Sequence, residues 1–147
     1  MKILIDGDSC PVTGIAVQIA RDNSLPCVIV CDTAHENSFE GAETVLVDKG
    51  RGSADLRILN LTVFGDIVIT HDAGLAEACL SKTPFVLDHN GAQYAANARR
   101  LRGNANLPKR NTQLDTAFAD SLSDLIWAVF TEEDKRSPMS PAVAGGF

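Results

Sequence analysis

The sequence has no long apolar run and no recognisable export signal. Its apolar stretches all fall short of the roughly 20 residues that a membrane-spanning helix needs. The N-terminus, MKILIDGDS, contains a single basic residue and only a short apolar run, unlike a secretory signal peptide. We therefore expect a soluble, cytoplasmic protein without a membrane partner.

The sequence also lacks a surplus of positive charge. Acidic residues outnumber basic ones, with 19 Asp and Glu against 13 Lys and Arg, so the overall field repels phosphate backbones and only a local patch could bind nucleic acid. One basic stretch contains no acid and could form such a patch. A solvated helix face followed by a loop explains this stretch equally well. Its basic residues are Arg99, Arg100, Arg102, Lys109 and Arg110.

Motifs for nucleotide binding and for structural zinc are missing. There is no Gly-x-x-x-x-Gly-Lys-Ser/Thr loop, and Gly50 and Gly52 lack the third glycine of a dinucleotide fingerprint. The four cysteines lie in or beside apolar runs, which favours reduced, buried thiols over disulfides. Cys27 and Cys31 have no second pair with which to form a zinc site.

What the sequence does contain is a set of five short apolar runs, rich in Val and Ile, separated by helical or turn-like segments. Without strict polar alternation, such runs indicate strands buried on both faces of a parallel sheet. Helices are expected from near Pro11, from Ser53 to Leu61 after a capping serine, and from Leu75 to Leu80. We therefore predict an α/β fold with a three-layer, doubly wound, mainly parallel five-stranded sheet. The predicted strands are Ile3 to Ile5, Val28 to Cys31, Val45 to Val47, Ile67 to Ile69 and Phe85 to Leu87.

The pattern weakens after Leu87. It predicts a helix from Tyr94 to Leu101 and a loop from Gly103 to Gln113. Residues 1–131 are expected to form one domain, and residues 132–147 a disordered tail. A closing amphipathic helix is marked by Leu122, Leu125, Ile126 and Val129 and contains Trp127.

An aspartate follows each of the five runs, immediately or within three residues. In a parallel sheet these positions share one edge, where open α/β sheets bind their ligands. A single aspartate there can also cap the following helix or lie in a solvated loop. This simpler explanation is preferred for Asp32, Asp48 and Asp88.

Asp6 and Asp8 are harder to explain as caps, because one cap needs only one carboxylate. Crowded carboxylates repel each other unless a proton or a cation is shared, and hard divalent cations prefer carboxylate oxygens. Asp72, after the fourth run, and Asp55, in the first turn of a predicted helix, can project toward the same edge. The sequence therefore predicts a divalent-metal site formed by these four aspartates.

Two residues beside Asp72 are also candidates. Thr70 could hydrogen-bond a ligand oxygen or a neighbouring carboxylate, although its β-propensity explains its position equally well. His71 could transfer protons, but a structural role is the preferred explanation for a lone histidine at a strand end.

Three segments resemble a known family. They are Ile-Asp-Gly-Asp-Ser-Cys-Pro-Val at 5 to 12, Val-Asp-Lys-Gly-Arg-Gly-Ser-Ala-Asp at 47 to 55, and Gly-Asp-Ile-Val-Ile-Thr-His-Asp-Ala-Gly-Leu-Ala at 65 to 76. The chain resembles the uncharacterised bacterial YaiI/YqxD family, which is itself similar to PIN-type ribonucleases. The resemblance implies a PIN-like fold in which the four aspartates bind metal with support from Thr70. It is incomplete, because the glycine-rich basic segment of relatives is represented here only by Lys109-Arg110 and the polar residues after them.

The leading hypothesis is an Mg²⁺- or Mn²⁺-dependent phosphodiesterase that cleaves RNA, with Asp6, Asp8, Asp55, Asp72 and Thr70 as its catalytic residues. Arg51 and the basic stretch from Arg99 to Arg110 would hold flanking phosphates. A homodimer could supply further positive surface.

Two alternatives stay open. In a haloacid-dehalogenase-like phosphatase, Asp6 would be the nucleophile, Asp8 the general acid and Thr70 the phosphoryl-binding residue. That chemistry needs a lysine, for which Lys82 is a poor candidate. The other alternative is a metal- or RNA-binding module without enzymatic activity.

Overall fold

The centre of the protein is a five-stranded sheet. The computed structural model describes residues 1–8, 10–32, 39–50, 52–95, 99–100 and 112–136. All four strand pairings are parallel, and the strand order is β3-β2-β1-β4-β5, which confirms the predicted sheet. The strands are β1 (Ile3–Asp6), β2 (Cys27–Cys31), β3 (Glu43–Leu46), β4 (Ile67–Ile69) and β5 (Val86–Leu87).

Helices cover both faces of this sheet, which makes three layers. They are α1 (Thr13–Asp22), α2 (Ser53–Leu61), α3 (Ala73–Leu80) and α4 (Thr112–Arg136). Successive side chains of a strand point to opposite faces, so Ile3 and Ile5 pack in the core beneath α1 and α4. Leu4 lies in a second core beneath α2 and α3. The α/β class and layering agree with the prediction.

The first two helices differ from the prediction in detail. Helix α1 begins at Thr13 rather than near Pro11, because residues 11 and 12 form a turn and the Thr13 hydroxyl donates to the Cys10 carbonyl at 3.3 Å. Helix α2 has the expected bounds, but its N-cap is Gly52, in the left-handed region at φ 83°, and no side chain caps it. Ser53 is therefore the first helical residue and not the cap.

The sequence pattern predicts Leu56, Leu59 and Asn60 as the inward face of α2, and this prediction was largely wrong. Leu56 is 60% exposed, whereas Ile58 is fully buried. Asn60 is exposed and Leu59 half-buried. A helix of only nine residues contacts the sheet along a narrow stripe, and Ile58 occupies that stripe.

The prediction of a helix from Tyr94 to Leu101 was wrong. Residues Tyr94–Ala95 (β6) and Arg99–Arg100 (β7) form an antiparallel pair instead. Tyr94 is 2% exposed, and its hydroxyl donates to the Thr70 carbonyl at 3.4 Å. Burial of this aromatic ring against the sheet stabilises an extended backbone over local helical preference.

The closing helix is confirmed and is longer than expected. Trp127, on the same helix, is 74% exposed. Helix α4 runs from Thr112 to Arg136, so residues 132–136, which the sequence placed in the tail, and residues 112–113, which it placed in the loop, are helical. Residues 103–111 and 137–147 lie outside the described residues. The predicted face of α4 is buried, at Leu122, Leu125, Ile126 and Val129.

All four cysteines are free, and three of them, Cys27, Cys31 and Cys79, are buried. Among the helices of the described segments, none combines the length and the apolar character that a bilayer crossing requires.

Candidate functional site

The candidate site lies where the strand order reverses. The chain builds β1, β2 and β3 outward in one direction and then crosses back to β4 on the other side of β1. The crevice at the carboxyl ends of the strands on either side of such a switch point is the usual ligand site of an open α/β sheet. Asp6 ends β1 at this point, and Thr70 directly follows β4.

A chain of hydrogen bonds joins three of the predicted residues. The Thr70 hydroxyl donates to Asp6 Oδ2 at 2.9 Å and accepts from the Asp72 backbone N–H at 3.0 Å. Thr70 is fully buried, so its hydroxyl is held in one orientation. The position of Thr70 could be explained by β-propensity alone, but its hydroxyl also orients Asp6. Asp6 is the first of the four predicted aspartates, which we call the aspartate cluster.

Asp72 is the N-cap of α3. Its Oδ1 accepts from the backbone N–H groups of Gly74 at 2.8 Å and Leu75 at 3.2 Å, which satisfies two of the free donors at the start of a helix. Both cap bonds end on Oδ1, and the residue is exposed. The cap consequently leaves Oδ2 for a ligand, so capping and ligand binding are compatible in this residue.

Asp8 connects the ends of the first two strands. The backbone N–H of Asp32, which follows β2, donates to both carboxylate oxygens of Asp8 at 3.2 Å. A carboxylate that accepts a backbone N–H near a strand end is fixed relative to the sheet. Asp8 is thus held beside Asp6 at the same edge.

The four predicted aspartates influence one another electrostatically. Burial raises the pKa of Asp6 from 3.8 to about 6; the hydrogen bond from Thr70 opposes this rise, and the negative charges of Asp55, Asp8 and Asp72 add to it. The pKa of Asp55 is also raised, by burial and then by the charge of Asp72. The fold therefore brings all four carboxylates within electrostatic range, as the sequence predicted.

The donor set fits a hard divalent cation in its chemistry. Carboxylate oxygens are the ligands that Mg²⁺ and Mn²⁺ prefer, and a cation would relieve the repulsion that raises the pKa of Asp6. Across the part of the chain that the structure describes, however, no three Asp, Glu, His or Cys side chains lie close enough together to hold a metal ion. The four aspartates have the right charge and donor type, but their carboxylates do not converge on one point.

The predicted phosphate-binding residues fall mostly outside the described segments. Arg51, Arg102, Lys109 and Arg110 are among the residues that the structure does not describe. Arg99 and Arg100 form β7, where Arg100 is paired in register with Tyr94. The Tyr94 hydroxyl in turn bonds to the Thr70 carbonyl, so the strand paired with this basic strand contacts the residue that follows β4.

Sequence reasoning missed a pair of histidines at the same edge. The rings of His71 and His89 are stacked, with centroids 5.1 Å apart and planes 24° from parallel. His71 follows β4 and His89 follows β5, its neighbour in the sheet. One sequence signal was available, because each of these two runs is followed by a histidine next to an aspartate, Asp72 or Asp88.

Asp88 has a structural role in this region. It is 1% exposed, and its Oδ1 accepts from the backbone N–H groups of Asn90 at 2.8 Å and Ala92 at 2.9 Å. These bonds close the turn after β5. The explanation preferred for Asp88 from the sequence, a helix cap or a solvated loop, was therefore wrong: the residue is buried and closes a turn.

Comparison with known proteins identifies the family. The model of the family described as "Uncharacterized BCR, YaiI/YqxD" matches residues 4–102. A "UPF0178 protein" of Natranaerobius thermophilus is 40% identical over 141 residues, covering 86% of this chain and 96% of the relative. A protein of the same name from Exiguobacterium sibiricum is 34% identical, with the same coverage. No solved structure gives a significant match. The chain therefore belongs to the uncharacterised YaiI/YqxD family.

Proposed function

We propose that this protein is a divalent-metal-dependent phosphodiesterase that acts on RNA, with a PIN-like arrangement of its acids. The observation that carries the proposal is Asp6. Its carboxylate lies at the switch point of the sheet, is oriented by the buried hydroxyl of Thr70, and has a pKa raised to about 6 in the company of three other aspartates. A strongly perturbed, oriented carboxylate in such a crevice is typical of a functional site.

Four residues would hold the ion, which we expect to be Mg²⁺ or Mn²⁺: Asp6, Asp8, Asp55 and Asp72. When bound, such an ion supplies polarisation of the scissile phosphate and lowers the pKa of an attacking water. Thr70 uses only Oδ2 of Asp6, and the α3 cap uses only Oδ1 of Asp72. Each of these two carboxylates thus keeps a second oxygen for the ion.

Asp6 must lose its proton before it can act as a ligand. Because its pKa is about 6, we expect metal affinity to weaken as the pH falls through this value. Thr70 was also predicted to be catalytic. In this proposal it contacts Asp6 and not the substrate, so we regard it as a positioning residue.

A groove beside the cluster provides space for the substrate. It has a volume of about 310 Å³ and is lined by Asp55 and by apolar side chains of α2 and α3 that include Leu59 and Leu75. Arg51 and the basic stretch from Arg99 to Arg110 are the residues that we expect to hold flanking phosphates, a type of contact that positions nucleic acid without reading its sequence. In this proposal, the negative global charge is overcome locally by the ion and these cations.

The geometry gives less support to a phosphatase. Lys82, the lysine considered for that chemistry, donates to the Leu59 carbonyl at 2.9 Å. Leu59 is in the last turn of α2, and Lys82 follows the end of α3, so both lie at the edge opposite Asp6. Lys82 cannot reach a phosphoryl group at Asp6 without a rearrangement of the fold.

The proposal is tested by incubating single-stranded RNA with Mn²⁺ and the wild type, Asp72→Asn or Asp22→Asn. Asparagine is a good N-cap, so Asp72→Asn should keep α3 and lose a metal-binding carboxylate. Asp22 is exposed at the end of α1, at the opposite edge, and serves as the matched control. We expect cleavage by the wild type and Asp22→Asn only.

Two results would change the conclusion. If Mn²⁺ binds the wild type but no RNA is cut, the non-enzymatic binding module is the better description. If Asp72→Asn cleaves as fast as the wild type, the assignment of the aspartate cluster is wrong.

A further inference from the structure

The stacked histidines form an ordered aromatic surface at the edge of the sheet. His89 is 8% exposed and lies in the turn after β5 that the Asp88 side chain closes. Its ring is therefore held by the fold. The ring of His71 rests on it with centroids 5.1 Å apart.

His71 itself is exposed. An exposed imidazole normally samples several rotamers, but stacking on a buried ring restricts His71 to one orientation. One face of its ring lies against His89, so the opposite face is the one that a ligand can cover. The pair thus presents a flat, preordered π surface.

This surface is next to the aspartate cluster. His71 is placed directly between Thr70, which bonds to Asp6, and Asp72, which belongs to the cluster. A nucleotide whose phosphate lies on the cluster therefore has its base or a neighbouring base within reach of His71. The apolar groove on α2 and α3 lines the same region from the side of Asp55.

We propose that the His71–His89 pair is a stacking platform for an unpaired nucleobase beside the phosphate at the aspartate cluster. The inference rests on the proposed function and narrows its substrate to single-stranded nucleic acid, since a base inside a duplex has both faces covered by its neighbours. Histidine is one of the side chains on which splayed bases stack, and such stacking tolerates any base because each has a π face.

A proton-transfer role for His71 makes a different prediction. A proton shuttle needs the imidazole nitrogens, whereas a platform needs only a flat aromatic ring. The variant His71→Phe separates the two, because phenylalanine keeps the ring and has no titratable group. His71→Ala removes both properties.

The test measures binding of a fluorescent single-stranded oligoadenylate RNA decamer in Mn²⁺ at low temperature, with a gel to show that the decamer stays intact. A second decamer has the same backbone with abasic residues. We expect His71→Ala to weaken binding of the first decamer roughly 5- to 30-fold and His71→Phe to stay within about twofold of the wild type. The abasic decamer should bind wild type and His71→Ala equally. Thermal unfolding shows that both variants are folded.

The possible failures are distinguishable. If wild type binds the decamer but His71→Ala binds it equally well, the platform is wrong and the nuclease proposal stands. If His71→Ala weakens both decamers alike, His71 contacts the backbone and the platform is again wrong. If wild type binds neither decamer in Mn²⁺, the proposed function itself fails, and the platform fails with it.

Discussion

Asp66 is buried and Asp6 is half-buried, and the two lie at opposite ends of the paired strands β1 and β4. Their surroundings differ. Asp66 immediately precedes β4 and is 1% exposed. It accepts hydrogen bonds from Lys2 Nζ at 2.7 Å, from the Lys2 backbone N–H at 3.1 Å and from the Val63 N–H at 2.9 Å. Asp6, at the other end of β1, accepts one bond from Thr70 and lies near three further carboxylates.

The contrast separates a carboxylate whose charge is compensated from one whose charge is not. Around Asp66 the fold supplies a cation and two backbone donors, which compensate the cost of burying the charge. Around Asp6 it supplies further negative charge, which destabilises the ionised carboxylate. A carboxylate left in this condition at a ligand-binding edge is poised to take up a proton or a cation.

The largest expected effect comes from removing the compensated aspartate. Asp66→Ala leaves the Lys2 ammonium and two backbone donors without their partner, so we expect a loss of about 3–5 kcal/mol in the free energy of unfolding, measured by urea denaturation. Mn²⁺ affinity of the folded fraction should be unchanged. A loss below about 1 kcal/mol would show that the Lys2–Asp66 pair does not stabilise the fold.

Removing the charge of Asp6 should instead raise the free energy of unfolding. The folded pKa of about 6 lies above the ordinary 3.8, so the fold favours the protonated carboxyl, and the wild type loses stability as the pH rises from about 4 to about 6. Above that pH the penalty is complete. Asp6→Asn cannot ionise and should be more stable than wild type by about 1–3 kcal/mol at pH 7.5.

The pH dependence supplies the control for Asp6→Asn. Near pH 3.5 the wild-type carboxyl is protonated, so the two proteins should unfold with similar free energies. Urea denaturation at both pH values measures this. A variant that is less stable than wild type at pH 7.5 would contradict the claim that Asp6 is an uncompensated charge.

The aromatic and acidic residues of the site could be predicted to different extents. The placement of Asp6, Asp8 and Asp72 at one edge could be predicted because strand ends in a parallel sheet share an edge. Asp55 could be placed there because it lies in the first turn of a helix that starts at that edge. The His71–His89 stack depends on the adjacency of β4 and β5 and on the turn that Asp88 closes. The one sequence signal, a histidine next to an aspartate after each of these two runs, does not show that β4 and β5 are neighbours in the sheet.

The parts of the fold that carry a local sequence signal were predicted better than the parts that depend on tertiary contacts. Strands that read as apolar runs were located within a few residues, since burial on both faces leaves a strong local signal. The helix expected after Tyr94 was wrong because the buried Tyr94 ring and its bond to Thr70 are tertiary contacts. Ser53 was mistaken for the cap, because the N-cap is Gly52, in a left-handed conformation, and Ser53 is the first helical residue.

A smaller loss of stability is expected from a change at Thr70, whose hydroxyl bonds to both Asp6 and Asp72. Thr70→Val keeps the shape of the side chain and removes its hydroxyl, so the Asp72 N–H loses its acceptor and Asp6 loses its donor. We expect a loss of about 1–2 kcal/mol in unfolding free energy. Because that hydroxyl lowers the pKa of Asp6, the pH midpoint of Mn²⁺ binding should rise.

Thr70→Ser is the matched control for Thr70→Val. Serine keeps the hydroxyl, so the pH midpoint should return to the wild-type value even if the lost methyl group costs some stability. An identical midpoint in Thr70→Val and wild type would show that Thr70 does not tune Asp6.

The smallest effect should come from Lys82, at the opposite edge. Its side chain is exposed and bonds only to a carbonyl at the end of α2 among the contacts of the described residues. Lys82→Ala should change stability by no more than about 0.5 kcal/mol and leave Mn²⁺ binding and RNA cleavage at wild-type levels. A large loss of activity on phosphate monoesters in this variant would revive the phosphatase alternative.

We propose that the edge containing Asp6 binds a divalent cation, and calorimetry of Mn²⁺ binding to wild type and Asp6→Asn at pH 7.5 tests this proposal. We predict that the wild type binds Mn²⁺, and that Asp6→Asn, although more stable, does not. Absence of binding to the wild type, or equal affinity in the variant, would contradict the account and leave Asp6 as a buried acid without a cation.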